Sequence, residues 1–160
     1  MITQSFDDTQ IGAKITTPGR TITETDVVSF CYLTGNWLEI HSNAEFAAHT
    51  EYGQRLVQGS LTFSLIAGLV RWDPQYLVAF YGVDNLRFLR PVFIGDTIHA
   101  TIEVVEKKEL KELEGGRGVI SQKVVVSNQR DEEVQASIFK LLVRREPLAA
   151  AESTSQGGAI

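Results

Sequence analysis

The second half of the chain constrains the fold most, because between residues 76 and 143 the sequence follows the two-residue alternation of β-strands. In residues 97–105, Ile98, Ala100, Ile102 and Val104 alternate with polar side chains. Successive side chains of a strand point to opposite faces, so such a segment has one apolar face to bury. Other segments with strand character are 76–83, 86–90, 118–128 and 134–143. Turn-forming residues at 114–118 and 128–131 predict that neighbouring strands run antiparallel.

One segment is suited to cover this sheet. Residues 60–72 are apolar on every face and carry small residues at Ser64, Ala67 and Gly68. A helix that is apolar all round is a buried one, and small residues let another backbone come close. Asp73-Pro74 then ends the helix. We therefore predict an α+β fold in which a long antiparallel sheet covers a buried central helix.

Length, charge and cysteine content give no indication of a protein that binds nucleic acid, contains disulfides or associates with membranes. A chain of 160 residues with a net charge of -5 has no basic footprint for nucleic acid. The single cysteine, Cys31, allows no internal disulfide, so a reducing, cytoplasmic setting is expected. The sequence has no apolar run long enough for a bilayer, so no membrane association is expected. We predict one domain over residues 1–147 and a disordered tail over 148–160.

The stretch from Gly35 to His41 is the first candidate for chemistry. Thr23 predicts the start of a helix that ends at Gly35, and Ser42 with Glu45 resembles the capping box of a second helix. His41 therefore falls in a loop between two helices, where acid/base residues are often mounted. A structural hydrogen bond is the alternative role for this histidine.

The start of the central helix is the second candidate. Gln58-Gly59-Ser60 precedes the apolar segment, and the first N–H groups of a helix have no partner within it. Glycine at 59 lets a ligand approach the backbone closely. The spacing of Cys31 and the three histidines does not fit a zinc site, and we expect neither a metal nor another cofactor.

These motifs resemble those of MaoC-like dehydratases and R-specific enoyl-CoA hydratases. Residues 32–41 are similar to the hydratase motif of that family, in which an aromatic residue precedes Gly-Asp and a histidine lies five residues after the aspartate. Gln58-Gly59-Ser60 is similar to the triplet that starts the family's central helix, and residues 88–96 to the segment that follows it. The resemblance covers roughly residues 6–143 and implies the hotdog fold.

The resemblance implies reversible hydration of a trans-2-enoyl thioester of coenzyme A or an acyl carrier to the R-3-hydroxyacyl thioester. His41 is then the base and Gly59 N–H the donor to the thioester carbonyl. Asn36 stands where the family has its catalytic aspartate, so it is the third catalytic candidate. Trp37, Glu39, Ser60 and Ser64 are the substrate-binding candidates.

Asn36 keeps other functions open. An amide donates and accepts hydrogen bonds but does not carry a proton as a carboxylate does. The nearby carboxylate of Glu39 could replace the lost base, or it could be a solvated loop residue. The alternatives are a hotdog acyl-CoA thioesterase and a non-catalytic acyl-thioester-binding subunit. Because long strands expose edges, we also expect a homodimer.

Overall fold

Four long strands dominate the computed structural model, which describes residues 2–110 and 116–148. They are β3 (Leu77–Phe88), β4 (Thr97–Leu110), β5 (Arg117–Ser127) and β6 (Glu133–Arg144). Two short strands, β1 (Lys14–Thr16) and β2 (Arg20–Thr21), pair with β4, and the order is β1-β4-β5-β6-β3 with every pair antiparallel. The predicted antiparallel sheet is confirmed.

Strand β3 differs from the prediction because the segments 76–83 and 86–90 form one strand. The pairing of β3 with β6 shifts between Asp84 and Arg87, and Asn85 between them has a φ of 54°. Asparagine tolerates this left-handed conformation better than most residues. The bulge therefore accommodates the break in alternation without ending the strand.

The central helix α4 (Gly59–Leu69) packs its apolar face on the sheet. Leu61 and Ile66 of the helix belong to one core cluster with Ile98, Val124 and Phe139 of the strands. The helix begins one residue earlier than predicted and ends at Leu69, not at residue 72. It is also not buried on every side, since its small residues form an exposed stripe: Ser60, Ser64 and Gly68.

Three further helices precede α4: α1 (Glu24–Thr34), α2 (Glu39–Ser42) and α3 (Ala44–Ala48). The predicted cap of α1 is confirmed, because Thr23 and Asp26 form a capping box, and Gly35 closes the helix at a φ of 71°. The prediction that Ser42 caps the next helix is wrong. Asn43 caps α3, since its side chain accepts from the N–H of Phe46. The hydroxyl of Ser42 points the other way and donates to the carbonyls of Trp37 and Leu38.

A buried carboxylate fixes the turn between β3 and β4. Asp96 is 4% exposed and accepts from the N–H of Phe93 at 3.0 Å, from Gln129 at 2.7 Å and from Arg130 at 3.0 Å. Burial by itself raises the pKa of Asp96, but these donors together outweigh it and hold the pKa below its ordinary value. The network joins this turn to the β5–β6 turn and so steadies the segment around Val92.

The remaining predictions about the chain concern its extent. The turn predicted at 114–118 lies partly, and the tail from residue 149 wholly, outside the described residues. The single domain over 1–147 and the tail over 148–160 stay predictions. Among the described residues, no helix combines the length and apolarity needed to cross a bilayer.

Candidate active site

A cavity with a volume of about 660 Å³ lies at the start of α4. His41 and Gly59, which the sequence places 18 positions apart, both line it. The lining also includes Phe88 at the end of β3, Val92 in the segment that follows, and Val134 of β6. The two segments with candidate chemistry therefore meet in one mostly apolar cavity.

The ring of His41 is oriented by a backbone carbonyl. His41 lies in the single turn of α2, not in an irregular loop as predicted, and its Nδ1 is 2.8 Å from the carbonyl oxygen of Leu56. A carbonyl oxygen can only accept, so Nδ1 carries the hydrogen in this contact. In the neutral ring, Nε2 then holds the free lone pair and is available as a base.

Leu56 is itself held in place by backbone hydrogen bonds. Its N–H donates to the carbonyl of Ile40 at 3.0 Å, and it forms an antiparallel bridge with Phe93. The N–H of Val57 donates to the carbonyl of Val92 at 2.8 Å. Sequence reasoning missed Leu56, because its side chain carries no chemistry and its carbonyl acts through the tertiary fold.

Gly59 is the first residue of α4, where backbone N–H groups have no acceptor within the helix. A Cβ placed on Gly59 would lie 2.8 Å from Cε1 and Cζ of the Phe88 ring. Space therefore constrains this position, since an aromatic side chain already approaches the helix start. The sequence predicted a close approach to the backbone here, but it did not indicate Phe88 as a neighbour.

Gln58 connects the start of α4 to α1. It is 1% exposed, and its Nε2 donates to Sγ of Cys31 in α1 at 3.1 Å. Cys31 is buried at 1% exposure. Because Gln58 directly precedes Gly59, this contact ties the start of α4 to the helix that leads into the histidine segment.

Asn36 and Trp37 lie outside the residues that line the cavity of this chain. Asn36 is half-exposed, and its Oδ1 is 3.5 Å from the N–H of Leu38, which is a weak contact. Trp37 is 46% exposed and packs edge-on against Tyr32, with ring centroids 4.9 Å apart. The structure therefore brings together His41 and Gly59 but does not add Asn36 to them.

Of the other candidates, some line the cavity and some do not. Ser60 lines the cavity, whereas the exposed hydroxyl of Ser64 donates to the carbonyl of Ser60 at 2.8 Å. Glu39 is exposed, and its Oε1 accepts from Asn43 at 3.0 Å. Arg90 also lines the cavity, and its Nη1 donates to the carbonyl of Glu133 at 2.7 Å. The described residues hold no cluster of three or more His, Cys, Asp or Glu side chains that could bind a metal ion.

Known proteins share both the sequence and the architecture. The family model described as "MaoC like domain" matches residues 7–126. A 3-hydroxybutyryl-CoA dehydratase of Methylorubrum extorquens is 34% identical over 63% of this chain and 64% of its own length. An (R)-specific enoyl-CoA hydratase of Aeromonas caviae is 33% identical over 54% of this chain and 64% of its own length. The chain thus spans less than two thirds of either curated relative.

A solved structure matches over a longer stretch. The X-ray structure of a protein from Archaeoglobus fulgidus, described as a monoamine oxidase regulatory protein, superposes with a TM-score of 0.83 at 42% sequence identity. The match covers 89% of this chain and 95% of that one.

Proposed function

Since the chain belongs to the MaoC-like domain family and has its hotdog fold, we propose that it is a hydratase of acyl thioesters. Its reaction would be the reversible hydration of a trans-2-enoyl thioester to an R-3-hydroxyacyl thioester, on coenzyme A or an acyl carrier protein. One observation carries the proposal: His41, whose ring is oriented by a backbone carbonyl, and the N-terminal end of α4 line the same mostly apolar cavity.

The helix start suits the thioester carbonyl. When water adds to C3 of the enoyl group, negative charge builds up on the carbonyl oxygen. The N–H of Gly59 can donate to that oxygen, and the positive end of the α4 dipole favours the charge. The apolar lining strengthens these interactions, because it keeps bulk water away from them.

His41 suits the proton transfers. Nε2 takes a proton from water as the water oxygen forms its bond to C3, and the C2–C3 double bond breaks toward C2. The same Nε2–H then delivers the proton to C2 as the carbonyl double bond is restored. One molecule of water is consumed, and His41 returns to its neutral form with Nδ1–H still directed at Leu56.

Asn36 does not line the cavity, but it lies five residues before His41, as the aspartate does in the family motif, so the proposal gives it a positioning role. Its amide can hydrogen-bond a water or the substrate, but it cannot serve as a base at neutral pH. A positioned acid/base group typically contributes about 100- to 10,000-fold in rate. We therefore expect slower turnover than an aspartate at the same position would allow.

We extend the proposal to a homodimer in the cytoplasm. Strand β3 lies at the end of the described sheet, and it exposes Phe80 by 41%, Tyr81 by 64% and Phe88 by 54%. A long, apolar edge strand favours pairing with a second chain. Light scattering is expected to give twice the chain mass of 17.7 kDa, and a monomeric mass would contradict the dimer. The lone, buried Cys31 is the reason for placing the protein in a reducing compartment.

The test uses crotonyl-CoA and longer trans-2-enoyl-CoAs, with enoyl absorbance and free thiol followed in parallel. Loss of absorbance without thiol release is expected for the hydratase. Thiol release would instead identify a thioesterase, and binding without either signal would identify a non-catalytic subunit. Acyl carrier thioesters of the same chains would distinguish the two carriers.

Histidine variants provide the matched control. His49 is exposed, lies outside the cavity lining, and its Nδ1 also contacts a backbone carbonyl, that of Glu45 at 2.7 Å. We expect His41→Ala to lower kcat at least about 100-fold and His49→Ala to leave it unchanged. Equal rates in the two variants would remove His41 from the mechanism.

A further inference from the structure

Strand β6 carries a bulge next to the cavity. Val126 of β5 pairs with Gln135, while the next residue, Ser127, pairs with Glu133, so Val134 has no partner of its own in β5. Burial along β6 alternates from Gln135 onward, yet Val134 at 1% and Gln135 at 0% exposure are both buried. A bulge re-aims the side chains at its position, which explains how two successive residues turn inward.

The bulge places Gln135 next to residues that line the cavity, although Gln135 itself lies behind that lining. Its chain neighbour Val134 lines the cavity, and its partner on β3 is Phe88, which lines the cavity as well. Phe88 is also the residue whose ring stands over Gly59. Gln135 is therefore adjacent, along the chain and across the sheet, to the wall behind the proposed acyl group.

Gln135 and Ser137 present polar atoms to the interior without hydrogen-bond partners among the described residues. They are Oε1 and Nε2 of Gln135 and Oγ of Ser137. Both residues lie on the same face of β6, where the following positions are Phe139, Leu141 and Val143. Leaving a buried polar group unpaired is unfavourable, and native proteins contain few such groups. An apolar pair would be the stable choice here, so the polar pair points to a ligand.

We propose that Gln135 and Ser137 form a polar subsite for the acyl chain, so that the protein prefers thioesters whose chain carries a hydroxyl or carbonyl oxygen. This substrate class rests on the hydratase proposal and refines it. The amide can donate to the oxygen and accept from a hydroxyl, and the serine hydroxyl can do both. A carboxylate fits less well, because both side chains are neutral and a buried anion would lack a countercharge.

The preference should be measurable as a ratio of affinities. With a purely hydrocarbon chain in the cavity, Gln135 and Ser137 would stay unpaired, so binding would carry their full penalty. Sites built to hydrogen-bond a substrate hydroxyl reject analogues that lack it. We expect a discrimination of about 10- to 100-fold in Kd at the chain length that reaches the pair.

The experiment measures binding by titration calorimetry with saturated thioesters, which cannot be hydrated. The probes are terminal hydroxyacyl-CoAs of four to eight carbons, each compared with the alkyl-CoA in which a methyl replaces the hydroxyl. We expect the hydroxyl form to bind at least tenfold more tightly at one length or more. A ratio near one at every length would overturn the subsite.

Variants distinguish a ligand site from a structural role. Gln135→Leu should abolish the preference, and Ser137→Ala, a smaller change that tests the subsite if the leucine variant does not fold, should weaken it. Gln122→Leu is the matched control, since Gln122 is a buried glutamine on β5 that lines a separate, small cavity with Thr9 and Ile102. A preference that persists in both Gln135→Leu and Ser137→Ala would contradict the proposal, as would its loss in Gln122→Leu.

The two proposals can fail separately. Discrimination between the thioester pairs without turnover of any enoyl thioester would refute the hydratase and leave the subsite in place. Hydration of enoyl thioesters without discrimination in binding would refute the subsite and leave the hydratase in place.

Discussion

Substitution of Gly59 by alanine tests how the start of α4 acts. The new Cβ would lie 2.8 Å from two carbons of the Phe88 ring. Carbon atoms in good contact are about 3.5–4.0 Å apart, so the ring must move by about 0.7 Å or more. Phe88 is 54% exposed and has room to do so.

The cost in stability should therefore be small. Overpacking a closed core typically costs about 1–3 kcal/mol, but a half-exposed ring avoids most of that strain. Alanine also favours the helical state over glycine by roughly 0.5–1 kcal/mol. We expect Gly59→Ala to change the free energy of unfolding by less than about 1 kcal/mol, as measured by denaturant titration.

The cost in activity should be large. A methyl group beside the N–H of Gly59 would hinder the approach of the thioester carbonyl that is proposed to accept from it, and removal of one such donor lowers kcat by about 100- to 1,000-fold in other enzymes. The assay is hydration of crotonyl-CoA, followed by enoyl absorbance. An unchanged rate in a folded Gly59→Ala variant would refute the proposed role of this N–H.

A second substitution identifies the cause of the loss. Phe88→Ala removes the ring that the new methyl group would displace, so it relieves any clash within the protein. If the methyl group blocks the ligand, the double variant stays as slow as Gly59→Ala relative to its own parent, Phe88→Ala. Recovery in the double variant would mean that Gly59 serves packing against Phe88 and not the carbonyl.

Three more substitutions test the remaining assignments. Asn36→Asp should raise the hydratase rate by at least about tenfold, because it restores a group that can carry a proton; an unchanged or lower rate in steady-state assays would contradict this. Glu39→Gln should leave kcat within about twofold, because Glu39 is exposed and bonded to Asn43; a loss of 100-fold would make its carboxylate the base. Because the folded-state pKa of Asp96 is lowered, its ionisation stabilises the fold above the unfolded-state pKa, and this contribution is lost as pH falls through the folded value. Stability should therefore fall less steeply below about pH 4 in Asp96→Asn than in the parent, and parallel pH curves would refute the role of the network around Arg130.

Local patterns in the sequence determined most of the fold. The alternation in 97–105 and 134–143 predicted strands that the structure contains, and the apolar segment after Gly59 predicted the central helix. Thr23 and Gly35 predicted both ends of α1. These predictions succeeded because strand alternation, helix capping and left-handed glycine depend on residues within a few positions of one another.

Tertiary pairing decided the rest. The sequence predicted separate strand segments at 76–83 and 86–90, but pairing with β6 carries β3 across Asn85 as a bulge. The sequence marked His41 and Gly59 as candidates, while the Leu56 carbonyl, the Phe88 ring and the inward turn of Gln135 follow from contacts between distant segments. A backbone carbonyl has no residue-specific signal, and a bulge depends on the register of two strands. The sequence by itself therefore identified the candidate chemical groups, and only the assembled sheet and helix decided which of them share a cavity.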